Sequence, residues 1–214
     1  MSQALTKPLT FDEFIEWYPE DSKVRYELHD GVIIEMPKPR GKHSKIAGFG
    51  INHLNIAIAN LHREGIWFIP RESIVKTSEG KSGYEPDIIV LDETSLVNET
   101  RWESQSVVEI GNSVKLIVEV VSTNWRDDYS KKSADYVRVA SRREEMGIQE
   151  YWIIDHDALG GKRFIGDPKQ PTISVYELID GEYKITQFRN DDQIISPTFP
   201  TFNLTAKQIF NAHL

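Results

Sequence analysis

Residues 115–136, KLIVEVVSTNWRDDYSKKSADY, decide how this chain is read. The run from Leu116 to Val121 has the length and β-branched character of a buried strand, yet Glu119 interrupts it. An unpaired carboxylate in an apolar interior is strongly unfavourable, so Glu119 needs a cationic partner, a metal ion or an opening to water. Strand alternation puts Leu116, Val118 and Val120 on one face and Ile117, Glu119 and Val121 on the other. Downstream, Asp128, Lys132 and Tyr136 recur at i, i+4 and i+8, on one face of a helix expected over residues 128–146. That spacing lets Lys132 return to the mouth of the strand.

Working outward, Gly147 closes the helix and EYWIID (150–155) is the next strand. On the other side, Pro86 is tolerated at the start of a strand over 86–92, which Asp87 opens. Asp30-Gly31 and Asp180-Gly181 each separate two extended runs, the strongest short signal for a tight hairpin. Thr10 and Glu13 stand in capping-box spacing at the start of a short first helix. Ile46, Ile51, Leu54, Ile58 and Leu61 form an apolar stripe on a helix from Ser44 to about Arg63, ended by Gly65. Residues 66–77 read as extended chain broken by Pro70, and 92–114 as a polar excursion of unassigned structure. A short helix at about 203–212 ends the chain. The pattern is α/β with mixed α+β character, a central mixed sheet flanked by helices behind an N-terminal hairpin.

The 214 residues, 39% apolar and 27% charged, suffice for one domain with a sizeable core, or for two small ones. The absence of cysteine excludes disulfides and thiolate metal sites and suits a reducing compartment. No apolar run reaches the roughly 20 residues that span a bilayer, and the first residues lack signal-peptide character. A cytoplasmic protein with no membrane partner is expected. A net charge of -8 argues against a sequence-independent coat on nucleic acid and leaves room for a local basic cleft.

Two carboxylates at adjacent strand ends, Asp87 and Glu119, suit one hard divalent cation, with waters and phosphate oxygens completing its shell. Phosphodiester hydrolysis asks for that arrangement, with a lysine beside the attacked phosphate. Each residue also has a plainer reading. Glu119 would be the buried half of an ion pair with Lys115 or Lys132, Asp87 a strand-entry cap, and Glu27 a hairpin partner of Arg25. Lys132 with Asp128 would be an exposed ion pair, Tyr136 a packing residue, and His43 a helix-start residue with local hydrogen bonds. Trp102 and Trp125 are expected to be exposed, at an interface or against substrate. The histidines show no spacing that favours zinc.

In order along the chain stand Tyr26-Glu27-Leu28 with Asp30-Gly31, His43, Pro86-Asp87, Glu119-Val-Val-Ser122, Asp128-x3-Lys132-x3-Tyr136 and Glu150-Tyr151-Trp152-Ile153-Ile154-Asp155. This ordered set resembles the signature of the Uma-two family, within the PD-(D/E)XK, restriction-endonuclease-like superfamily, over roughly residues 10–195. The resemblance implies one restriction-endonuclease-like domain spanning 1–214 and cleavage of nucleic acid with Mg²⁺ or Mn²⁺. It further implies Asp87 and Glu119 as metal-binding catalytic acids and Glu27 as the N-terminal acid of the ligand set. In the superfamily pattern the lysine lies two residues after the acid, where this chain has Val121. Lys132 fits the family's downstream position, with Lys131 as its competitor. His43, Lys131, Asp128 and Tyr136 are the expected substrate contacts. The interval between Tyr136 and Trp152 is longer than the family spacing by the segment VRVASRREEM.

The expected function is an endonuclease, DNA placed before RNA, acting as a homodimer because two strands take two sites. A binding module that kept the fold and lost catalysis, or a phosphohydrolase of small phosphoesters, are the alternatives.

Overall fold

The computed structural model describes residues 7–77, 79–136 and 147–213. Helix α1 (Phe11–Trp17) starts from a complete Thr10/Glu13 capping box. It precedes the hairpin of β1 (Arg25–His29) and β2 (Val32–Met36), whose turn residues Asp30 and Gly31 both take positive φ, as a tight two-residue connection requires. Helix α2 (Gly41–Asn60) follows, then β3 (Trp67–Phe68), β4 (Ile74–Lys76), β5 (Gly83–Tyr84) and β6 (Ile88–Asp92). The excursion after Asp92 holds α3 (Glu93–Leu96), α4 (Trp102–Gln105) and β7 (Val107–Val108). Strand β8 (Val114–Val120) leads into a π-helical turn (Asp127–Lys132) continued by α5 (Ser133–Tyr136). Strand β9 (Glu150–Asp155), α6 (Lys162–Ile165), the hairpin of β10 (Thr172–Ile179) and β11 (Glu182–Phe188), and α7 (Ala206–Asn211) complete the chain.

The expected central mixed sheet forms, and a second mixed sheet is built around the N-terminal hairpin. Six strands run in the order β11-β10-β9-β8-β6-β3, with β8 and β9 parallel and the other pairs antiparallel. The N-terminal hairpin builds a separate five-stranded sheet in the order β2-β1-β5-β4-β7. The break follows Pro70, which cannot donate to a ladder, so β3 and β4 enter different sheets. Helix α2 starts three residues before the expected Ser44. Its apolar stripe (Ile46, Leu54, Ile58) packs with Leu116, Val118 and Val120 and with Ile209 of α7. The opposite face of β8 presents Ile117 and Val121 to a second cluster that includes Tyr129, Tyr136 and Tyr151. Period-two alternation along β8 thus separates two cores, and Glu119 belongs to the second face.

Among the described residues, no helix is long and apolar enough to cross a membrane. Trp102 packs edge-on to Phe68, and Trp125 packs against Tyr129 and Phe164, so both indoles are half-buried rather than free. The part of the expected helix over 137–146, with VRVASRREEM within it, lies outside the described residues.

Candidate active site

The register of two strands brings the acids together. In the antiparallel β6/β8 pair Ile88 lies opposite Val118, so Asp87, one step earlier, falls beside Glu119, one step later. The Val120 N–H donates to Asp87 Oδ2 at 2.8 Å, which fixes the carboxylate at the C-terminal edge of β8. His43 Nε2, from the first turn of α2, approaches the same oxygen at 3.1 Å. Burial would lower the His43 pKa, but the hydrogen bond and charge of Asp87 outweigh it and hold the imidazole above its ordinary value.

Glu119 is 2% exposed, and its Oε1 has no hydrogen-bond partner among the described residues. Burial, then the negative charges of Asp87, Asp128 and Glu27, push its carboxyl well above the usual range against the pull of Lys132. Lys132 leaves the π-helical turn at 3% exposure and places Nζ 3.3 Å from Glu119 Oε1. The ammonium reaches Glu27 Oε1 more closely, at 2.8 Å. Burial disfavours its charge, but Glu119, Glu27 and Asp128 together hold the lysine protonated, well above the ordinary lysine value.

Glu27 comes from the other sheet and is fully buried. Its Oε1 also accepts the Glu85 N–H at 3.2 Å, and its Oε2 lies 2.8 Å from His29 Nε2. Burial would raise this carboxyl, but Lys132 and His29 outweigh it and keep Glu27 an anion. Both oxygens are therefore committed to protein donors. Arg25, two residues earlier on β1, pairs with Glu85 at 3.4 Å and lines the cleft.

Asp87, Glu119, Asp128, Lys132 and His43 line one cavity of about 220 Å³, whereas Glu27 sits behind Lys132 and outside its lining. Asp128, buried on the π-helical turn, has its carboxyl pushed up to about 7, chiefly by burial. Lys131 pairs with Asp127 at 3.8 Å, half-exposed and away from the cavity lining. Tyr136 is buried behind the site with its hydroxyl unpartnered among the described residues. Lys115 belongs to Asp92, at 3.1 Å.

Sequence reasoning passed over Arg25, Arg40, Lys42 and His156, all on the cavity wall. His156 is brought there by the sheet topology. Parallel strands end at the same edge of a sheet, so the residue just after β9 returns to the edge that carries Glu119.

The segment 11–207 matches the sequence profile of a family described as "Putative restriction endonuclease". A crystal structure from Anabaena variabilis, described as that of a "putative nuclease", superposes with a TM-score of 0.69 over 97% of this chain and 100% of that one. At 23% identity this is a likeness of fold. No curated protein matches the chain significantly. With its profile match over nearly the whole length, the chain belongs to the Uma-two family.

Proposed function

We propose that this protein is a divalent-metal-dependent endonuclease that hydrolyses phosphodiester bonds of nucleic acid, DNA before RNA. The observation that carries this reading is the meeting of Lys132 and the buried Glu119 carboxylate in a cavity that Asp87 also lines. The donor set fits a hard cation. Among the described residues no hydrogen bond reaches the buried Glu119 Oε1, Lys132 pairs with it at 3.3 Å, and Asp87 stands beside it. Among the described residues no three His, Asp or Glu side chains converge as a ready-made ligand cluster. A site of two carboxylates completed by water and phosphate oxygens is the mode in which Mg²⁺ or Mn²⁺ meets phosphate substrates.

A divalent ion, when bound, would supply the positive charge and the activation of water that phosphodiester hydrolysis needs. Asp87 and Glu119 would hold it, and His43 and the Val120 N–H orient Asp87. The Lys132 ammonium stabilises the charge that grows on the phosphate during attack. We assign Glu27 to the positioning of Lys132 rather than to the ligand role implied by the resemblance, because both its oxygens are taken. The cavity lies below the roughly 300 Å³ typical of sites that engulf a whole small ligand. That size favours a strand lying across the mouth over a free nucleotide.

One domain over 1–214, a homodimer and a cytoplasmic location complete the proposal. It rests here on the two cores that share the faces of β8, on the two sites that double-strand cleavage requires, and on the lack of cysteine. A second reading, a binding module without catalysis, draws on Lys132 neutralising Glu27 and Glu119 without a metal.

Calorimetry with Mg²⁺ and Mn²⁺, run beside cleavage assays on single- and double-stranded DNA and RNA, separates the two. The nuclease reading expects metal binding and cutting in the wild type, both lost in Asp87→Ala and Glu119→Ala. Metal binding without any cutting favours the binding module, and no metal binding sinks both metal roles.

A further inference from the structure

The mouth of the same cavity carries residues with no part in the hydrolysis above. Arg40 and Lys42 stand at the N-terminal turn of α2 and line it. That turn has no side-chain cap and no acidic residue. The first N–H groups of a helix lack intrahelical acceptors and carry the positive end of its dipole, where carboxylates are favoured. Over this 20-residue helix the sequence places cations there instead, an arrangement that becomes favourable when an anion binds.

An independent observation comes from β9. His156, just past its end, is 8% exposed, lines the same cavity, and its Nδ1 has no hydrogen-bond partner among the described residues. A buried ring nitrogen without a partner is costly in a folded protein and marks a place where a ligand completes the set. Its Nε2 lies 3.3 Å from Asp157, and Asp157 also takes Lys42 Nζ at 2.6 Å. One carboxylate thus ties the end of β9 to the first turn of α2.

We propose that this turn, with Arg40 and Lys42 and with His156 beside them, is a second phosphate site, holding the phosphodiester next to the one that is cleaved. The identity of the ligand as a nucleic-acid strand rests on the nuclease reading, whereas phosphate binding itself does not. Arg40 and Lys42, opposed at this helix end by Asp157, give a chain of net charge -8 a locally basic place at the mouth of the cleft.

The test titrates inorganic phosphate into metal-free protein and follows the imidazole resonances of His156. It uses wild type, Asp87→Ala and the double variant Arg40→Gln/Lys42→Gln, with folding checked by circular dichroism. The His156 signals are expected to move in wild type and in Asp87→Ala, and to need at least about tenfold more phosphate in the double variant. The same proteins then bind a labelled DNA strand over a salt series. Loss of one or two phosphate contacts lowers the slope of log affinity against log salt by about 1 to 2 in the double variant. His156 signals that stay still, or move alike in the double variant, overturn the proposal, as does an unchanged slope. Phosphate binding here in a protein that cuts no nucleic acid with either metal would refute the nuclease reading and leave this site standing. Cutting with an unchanged slope would do the reverse.

Discussion

The Lys132 ammonium stands 3.3 Å from Glu119, reaching it from the π-helical turn that follows β8, whereas Val121, two residues after the acid in sequence, is uncharged. Lys132→Ala is expected to lower cleavage by at least about 100-fold, the usual effect of removing a donor to transition-state charge, while metal binding persists. Val121→Lys in that background shares the Glu119 face of β8 and should restore part of the rate. Single-turnover cleavage with saturating metal measures both, and a Lys132→Ala variant at full rate would remove the lysine from the mechanism.

Glu27 holds the lysine from the other sheet. Glu27→Ala leaves Lys132 buried with a weaker set of partners, and breaking a buried ion pair on one side costs about 3–5 kcal/mol. Urea denaturation should show a loss of that order. Metal affinity in Glu27→Ala, corrected for folding, should fall far less than in Glu119→Ala. Equal losses of affinity in the two would make Glu27 a ligand.

Glu119 counts for more in function than in stability. Its carboxyl is buried beside Asp87, Asp128 and Glu27, which with burial raise it against the pull of Lys132, so Glu119→Gln is expected to destabilise the metal-free protein less than Glu27→Ala does. Metal at 100 times its dissociation constant stabilises a folded protein by about 2.7 kcal/mol. That corresponds to roughly 5–10 °C for a chain of this size. Differential scanning calorimetry should record such a rise for wild type and none for Glu119→Gln.

Asp128 sets a pH dependence. Burial raises its carboxyl from 3.8 to about 7; Lys132 opposes the shift, and Asp87, Glu27 and Asp127 add to it. The folded state therefore holds this proton more tightly than the unfolded chain. The resulting stabilisation is complete below the unfolded value of 3.8 and is lost as pH rises through about 7. Asp128→Asn removes the term, so its stability relative to wild type should improve between about pH 4 and pH 7. A flat difference in metal-free urea melts would show that the carboxyl does not titrate there.

The first hairpin offers a test of the scaffold. A Cβ at Gly31, where φ is +82°, would lie 2.4 Å from the Pro8 Cβ and 3.0 Å from the Leu9 carbonyl. Gly31→Ala should cost more than about 1 kcal/mol, read by thermal melting, because both the backbone angle and the space are wrong. A smaller loss would mean that the segment at Pro8 yields.

What the sequence disclosed was local. Asp30-Gly31 and Asp180-Gly181 specify turns within four residues, Thr10 with Glu13 specifies a helix start, and alternation along 116–121 assigns each side chain a face. The division into two sheets was hidden, because whether β4 pairs with β6 or with β5 and β7 depends on contacts far along the chain. The spacing of Asp128, Lys132 and Tyr136 disclosed a shared face, but not the π-helical turn that carries the first two. His156 and Arg40 carry no motif of their own, and only the parallel run of β8 and β9 and the true start of α2 bring them to the cleft.

The partnership of Lys132 with Glu27 spans 105 positions and joins the five-stranded sheet to the π-helical turn that follows β8. Contacts of such range form slowly, since the chain loses loop entropy before the contact rewards it. A polypeptide still emerging from the ribosome that has reached Glu119 but not Lys132 already carries both acids and none of the lysine chemistry. Under the proposed mechanism, competence to cut arrives only when distant parts of the chain have closed on one another, and the first hydrolysed bond after dilution from denaturant should mark the end of folding rather than a stage along it.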